Sequence, residues 1–301
     1  MTVYISSGTG ELQLRTISDY VGSTLVATVP AWTTNPDTTS VYEVRGTGNS
    51  TVVNTTGINF AASTVGGNLV ATATTGNVTQ SEALDINGTS TITASASGAD
   101  IILFNPANDF TGNVGTTGDE VELWTTGAMK LGAASARTYK VYVGTTIDDY
   151  GAQVITGDAT FKTHGATSEI TLDHGGNSFG GAENVEGGIG YTLTDTNADG
   201  VVLLGRTVDG NLTITASGHV TQSGVLVVGG LTTITATGKN ITLTNTSNNF
   251  KNAVKVAGAN VQIVDGVATT IGGQSIGIDL GASTVTGTYE VTATAGNIID
   301  S

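Results

Sequence analysis

The chain has 301 residues, no cysteine, 43 glycines, three prolines, 12% charged residues and a formal net charge of −15. Zero cysteine removes a disulfide scaffold, a zinc–thiolate site and a thiol nucleophile, and no apolar run approaches the ~20 residues of a membrane helix. With 25 acids against 10 bases, there is no basic stripe to displace the counterions of a nucleic acid. Glycine without proline and without a Gly-X-Y period excludes collagen.

Residues 1–47 come first and stand apart. Pro30, Trp32, Pro36 and Tyr42 cluster there and no repeat is present. This stretch predicts a small β module of two or three hairpin strands, joined by Gly46–Ser50 to the rest of the chain. It is placed to cap a stack of strands whose open end would otherwise expose unpaired edges.

From residue 48 onward Gly, Thr, Val, Ile and Asn dominate. β-branched residues favour strands, and Gly and Asn favour tight corners. A pattern Ile-x-Leu-x-Asn/His-x-x-Asn-x-Phe occurs at Ile101–Phe110, recurs at Ile170–Phe179 and again at Ile241–Phe250, a period of about 70 residues. A second pattern runs from Gly67-Asn68-Leu69 through Thr79-Gln80-Ser81, from Gly210-Asn211-Leu212 through Thr221-Gln222-Ser223, and from Gly287-Thr288-Tyr289 to Ser301. Residues 48–301 thus hold about three and a half units of ~70 residues. Each unit reads as three coils of ~20–25 residues, and the fold class is all-β: a right-handed parallel β-helix, or β-solenoid, behind a short N-terminal hairpin module. Leu69, Leu212 and Tyr289 are expected in one inward column and Ala71, Ile214 and Val291 in the next, with Thr72, Thr215 and Thr292 pointing out between them. Asn105, His174 and Asn245 are expected at a corner, satisfying turn backbone groups and one another. Phe110, Phe179 and Phe250 are expected in the core, and Trp124 at or near the surface. Ser301 falls mid-unit, which suggests a segment of a longer array.

The phrases Gly-Asn-Leu-Thr-Ile-Thr-Ala-Ser-Gly (210–218), Val-Thr-Gln-Ser-Gly (220–224) and Ile-Thr-Leu-Thr-Asn (241–245) resemble filamentous-haemagglutinin-type repeats over residues 50–301. That resemblance implies the long β-helical shaft of a bacterial surface adhesin or two-partner-secreted protein. Residues 1–47 are similar to a small β module of phage virion proteins and very long repetitive bacterial proteins.

Candidate chemistry is sparse. Asp195-Thr196-Asn197-Ala198-Asp199-Gly200 has the opening of a calcium loop, and Asp195, Asn197 and Asp199 are the candidate metal ligands. Arg206 stands where a bidentate Glu is needed, and the segment aligns with 124–127 and 264–266, which lack that set of carboxylates; an Asx/Gly corner is the preferred account. Asp119, Glu120 and Glu122, and the pair Asp148-Asp149, are expected as solvated acidic faces. His174 and His219 replace asparagines of other units and are expected to be structural, and no Gly-x-Ser-x-Gly elbow accompanies His164. The shaft is poor in the exposed aromatics that sugar platforms use.

The expectation is therefore a rigid, non-enzymatic shaft segment, secreted or on a bacterial surface, without a cofactor unless calcium binds. Its partners would be neighbouring repeats, further copies of itself and host or matrix glycans. The rival is a tailspike-like or polysaccharide-lyase-like β-helix, in which acids, arginine and aromatics would break the repeat at one groove.

Overall fold

The computed structural model describes residues 2–21, 26–36, 41–46, 48–165, 167–271 and 273–300. Within them every regular element is a strand, and parallel strands stack as a β-solenoid of about 12 turns. Thr47 at the expected boundary, Gly272 and Ser301 lie outside the described residues, as do the side chains of Tyr20 and Tyr42.

The strands are short because glycines and asparagines punctuate them, and most of them alternate. Leu212–Ala216 reads buried, half-buried, buried, exposed, buried, and Leu69–Ala73 and Ser90–Ala94 follow the same rule. Period-two alternation places every second side chain inside the coil, where Leu69, Ala71, Ile214, Phe110, Phe179 and Phe250 all lie buried as the sequence predicts. Each such Leu or Ile contributes roughly 1.5–3 kcal/mol of burial. Tyr139, Phe161 and Phe179 form an edge-to-face stack in the middle, with centroids 6.0 Å apart at each step.

One face is an unbroken sheet of twelve parallel strands from Ile58–Phe60 to Tyr289–Ala293. A second face begins at Ser50–Asn54 and Leu69–Ala73. It bends at Met129–Ala136, whose first half pairs with Ile147–Asp149 and whose second half pairs with Gln153–Ile155. The third face is formed by Ser63–Val65, Leu84–Ile86 and Asp109–Phe110 early in the chain, and by Arg206–Val208, Leu226–Val228 and Asn249–Phe250 late in it. The coil between parallel register partners varies in length, from the short path of Asn113 to Lys130 to the long path of Val261 to Tyr289.

This variable coil length corrects the expected columns. The strand opening one unit, Ser50–Asn54, belongs to the second face, whereas the strand opening the next, Glu120–Thr125, belongs to the twelve-strand sheet. Equivalent residues of successive units therefore lie on different faces, whereas Leu69 and Leu212, from the first and third units, both lie on the second face and Tyr289 belongs to the twelve-strand sheet. Leu69 lies between Ser50 and Ser90, and Leu212 between Tyr191 and Thr232. Ile214 lies between Leu193 and Ile234. The in/out parity still holds: Thr215 and Thr292 are exposed and Thr72 is half-buried. Tyr289 is the exception, 36% exposed on the last strand of its sheet.

At the N-terminal end Thr2–Ser7 runs antiparallel to Leu14–Thr16 and to Val41–Gly46. Val41–Gly46 then turns to parallel pairing with Ser63–Val65, through Arg45↔Thr64 and Gly46↔Val65. Arg15 ties the region together, donating to the Ala31 carbonyl at 3.0 Å with its guanidinium 5.2 Å from the Trp32 ring.

Candidate functional site

The corners account for most of the polar residues that the sequence singles out. Asn105 accepts a bond from the Ala107 amide at 2.9 Å and Asn245 one from Ser247 at 2.9 Å. His174 does the same through Nδ1 with Gly176 at 3.1 Å. His219 Nδ1 accepts from the Asn240 amide at 2.9 Å, as Asn77 Oδ1 accepts from Asp100. An imidazole nitrogen thus takes the place of an amide oxygen in both. These corner residues satisfy backbone but not one another, because three coils separate them. The buried asparagines Asn108, Asn177 and Asn248 instead bond to the preceding coil: Asn108 to Gln80, Asn177 to Asp149 and Asn248 to Gln222.

Asp149 is consequently not part of a solvated face. It is 6% exposed and accepts from Asn177 Nδ2 at 2.6 Å and the Asp173 amide at 2.9 Å, and burial raises its pKa. It stands where the neighbouring units use Gln80 and Gln222. Asp119, Glu120 and Glu122 are exposed enough to meet solvent, yet the next coil supplies each with a base. Arg137 forks onto Asp119 at 2.9–3.1 Å. Lys140 bridges Glu120 at 3.0 Å and Glu122 at 2.5 Å.

The calcium candidates form a corner. Asp195 is 1% exposed and its Oδ1 accepts from the amides of Asn197 at 2.9 Å and Phe179 at 3.1 Å. Asn197 Oδ1 accepts from the Asp199 amide, and Asp199 is exposed. Gly200 turns the chain at φ +92°, where a Cβ would sit 2.2 Å from the His219 carbonyl oxygen. The equivalent residue of the following unit is Asp265, itself a carboxylate, capping Phe250 and Val267 in the same way. Thr125 accepts likewise from Gly127. Among the described residues no group of three His, Asp or Glu side chains is placed to hold a metal ion.

Arg206 is not at a loop. It lies 9% exposed at an inward position, its guanidinium 5.1 Å from the Tyr191 ring, donating to the carbonyls of Glu183 at 3.0 Å and Leu204 at 3.1 Å. Glu183 is 1% exposed, and its pKa is pushed up to about 8, first by burial and then by the charge of Asp195. No hydrogen-bond partner reaches either carboxylate oxygen of Glu183. Asp265 is raised to about 6 by burial.

The feature that the sequence concealed lies on the outer face of the twelve-strand sheet. Register pairs Phe104 with Trp124, Trp124 with Tyr142, and Tyr142 with Lys162. The Phe104 and Trp124 centroids are 4.9 Å apart, and those of Phe104 and Tyr142 are 5.1 Å apart. His164 closes the cluster 6.3 Å from Trp124 and 6.4 Å from Tyr142, its Nδ1 donating to the Val143 carbonyl at 3.1 Å. Lys162 Nζ sits 5.8 Å from the Tyr142 ring and 2.8 Å from Glu186, an ion pair that lowers the Glu186 pKa. His164 and Glu186 also line an open groove of about 640 Å³, walled further by Thr163, Asn184, Arg206 and Asp209. The ladder could not be found from the repeat, since Asp173 and Thr244 stand at the positions equivalent to Phe104.

Stacked three-sided coils with an apolar interior and an outer face free to vary define a parallel β-solenoid repeat protein. Residues 47–117, 118–186 and 190–257 each match the model of a family described as repeats of unknown function, DUF5649, and the chain belongs to that family. Neither a curated protein nor a solved structure matches the chain.

Proposed function

We propose that the chain is a rigid, non-catalytic shaft segment of a secreted or bacterial cell-surface protein, adhesin-like in its use. Its neighbours along the axis would be further repeats or copies of itself. The observation that carries this is the continuous twelve-strand sheet, whose hydrogen bonds run along the axis over a core lined by fully buried side chains. Each coil adds ~4.8 Å, so about 12 turns make a rod of about 60 Å. Stability in such a stack is close to a sum over coils and their interfaces, which suits an extended bearing element. The likeness to filamentous haemagglutinin supports the surface location and rests on the sequence phrases alone.

The acids also support a non-catalytic role. The carboxyls whose pKa values are raised to about 8 and about 6, Glu183 and Asp265, point into the core where no glycosidic bond can reach them. The outer acids Asp119, Glu120 and Glu122 are held by Arg137 and Lys140. Small-angle scattering tests the shaft: an elongated rod of that length is expected, extended by the N-terminal module, and a compact particle refutes it. Incubation with neutral and acidic polysaccharides is expected to release no reducing ends; release would favour the tailspike-like reading.

A further inference from the structure

We propose that the Phe104–Trp124–Tyr142 ladder, with the groove at His164 and Glu186, is a binding strip for a neutral glycan chain laid along the solenoid axis. The proposal rests on the surface role above and names the partner. Three aromatic side chains from three successive coils meet on the outer face, although nothing in the repeat requires an aromatic there: Thr194 and Val264 stand at the positions equivalent to Trp124. Each is only half-buried. Aromatic side chains left at a surface offer apolar faces to the C–H faces of pyranose rings, and the hydrogen-bonding groups that fix orientation stand next to them. Here His164 joins the ring cluster to the groove, which Asn184, Glu186 and Asp209 line with it. With His164 Nδ1 engaged by the Val143 carbonyl, Nε2 is the ring nitrogen left for a sugar hydroxyl.

Geometry and charge select this occupant over others. The three rings pack into one small patch, with centroids 4.9, 5.1 and 6.4 Å apart. On one side the Lys140–Glu120 and Lys140–Glu122 ion pairs border it, and the corner carrying His164 lies on the other. A protein partner needs about 800 Å² per side, far more than such a strip offers, whereas a linear glycan needs a narrow track. With centroids 4.9–6.4 Å apart, the rings together cover about the length of one sugar residue, and the groove beyond them continues along the axis. A net charge of −15 disfavours nucleic acids and acidic polysaccharides by long-range repulsion.

The test is calorimetric titration of the whole chain with hexasaccharides of β-1,4-glucose, β-1,3-glucose, β-1,4-N-acetylglucosamine and α-1,4-glucose, with an alginate hexasaccharide as the anionic control. Trp124 is one of two tryptophans, so a Trp32→Phe variant makes its emission a site-specific readout. At least one neutral probe is expected to bind in the millimolar range or tighter and to shift that emission. Tyr142→Ala should weaken binding about tenfold with an unchanged melting temperature, while Tyr142→Phe retains it. Binding by no neutral probe, binding by alginate alone, or affinity within about threefold of the parent in folded Tyr142→Ala overturns the proposal. The scattering measurement is independent, so a rod that binds no glycan refutes the strip and leaves the shaft standing.

Discussion

Ile214 offers the sharpest test of how the coils are held. Its side chain is fully buried, between Leu193 of the coil before and Ile234 of the coil after, both also fully buried. Ile214→Asp puts a carboxyl where neither neighbour can pair with it. Loss of the aliphatic side chain costs about 2–3 kcal/mol. At neutral pH the new acid must then take up a proton against its ordinary pKa, and a shift of about three units adds about 4 kcal/mol. The expected loss is about 6 kcal/mol, a large part of the stability of a domain this size. Thr215, one residue on, is exposed between Thr194 and Thr235, so Thr215→Asp should cost under about 1 kcal/mol. Val291 is only half-buried, with Ile263 as its one register partner, so Val291→Asp should fall between the two. Urea unfolding followed by tryptophan fluorescence measures all three against the parent. If Thr215→Asp is the damaging change, the strand is out of register by one residue. If Ile214→Asp is harmless, the interior is not the source of stability.

Stability should also rise as the pH falls from above 8 towards 5, the reverse of common acid denaturation. Glu183 and Asp265 bind protons more tightly folded than unfolded, so folding takes up protons between about 8 and 4.5 for Glu183 and between about 6 and 3.8 for Asp265. Within each window the gain is about 1.4 kcal/mol per pH unit for each group, and melting curves of Glu183→Gln should be flatter and higher at pH 8. A parent protein that loses stability from pH 8 to 6 contradicts this. EDTA should leave the melting temperature unchanged, because Asp195 Oδ1 and Asn197 Oδ1 already cap backbone amides; a rise of many degrees with calcium, abolished by Asp199→Ala, contradicts that account. Asn248 is fully buried and joins Gln222, the Leu226 amide and the Val264 carbonyl. Asn248→Ala should lower stability by about 2–3 kcal/mol in urea unfolding, since it strands those buried partners.

The sequence by itself determined what is local. Strand type follows from Thr, Val and Ile between Gly and Asn, and the facing of Leu212, Ile214 and Thr215 follows from a period of two that no packing can alter. The exchange of asparagine for His174 was legible because both residues offer an acceptor to the amide two residues on, whereas the amide that His219 caps lies in the next coil. Only the tertiary structure decided which strands lie side by side. That depends on coil lengths, which differ between the Asn113–Lys130 and Val261–Tyr289 steps and are set by turns whose geometry the repeat does not reveal. Successive units therefore land on different faces, the first and third on the same one, and contacts form between unlike positions. Phe104 meets Trp124 and Tyr142, Lys140 meets Glu122, and Arg206 lies over Tyr191. The buried acid at Glu183 and the aromatic strip are both products of that stacking. The physical reason is that the sequence period fixes each residue's orientation, whereas its neighbours are fixed by how far the chain travels before it comes round again.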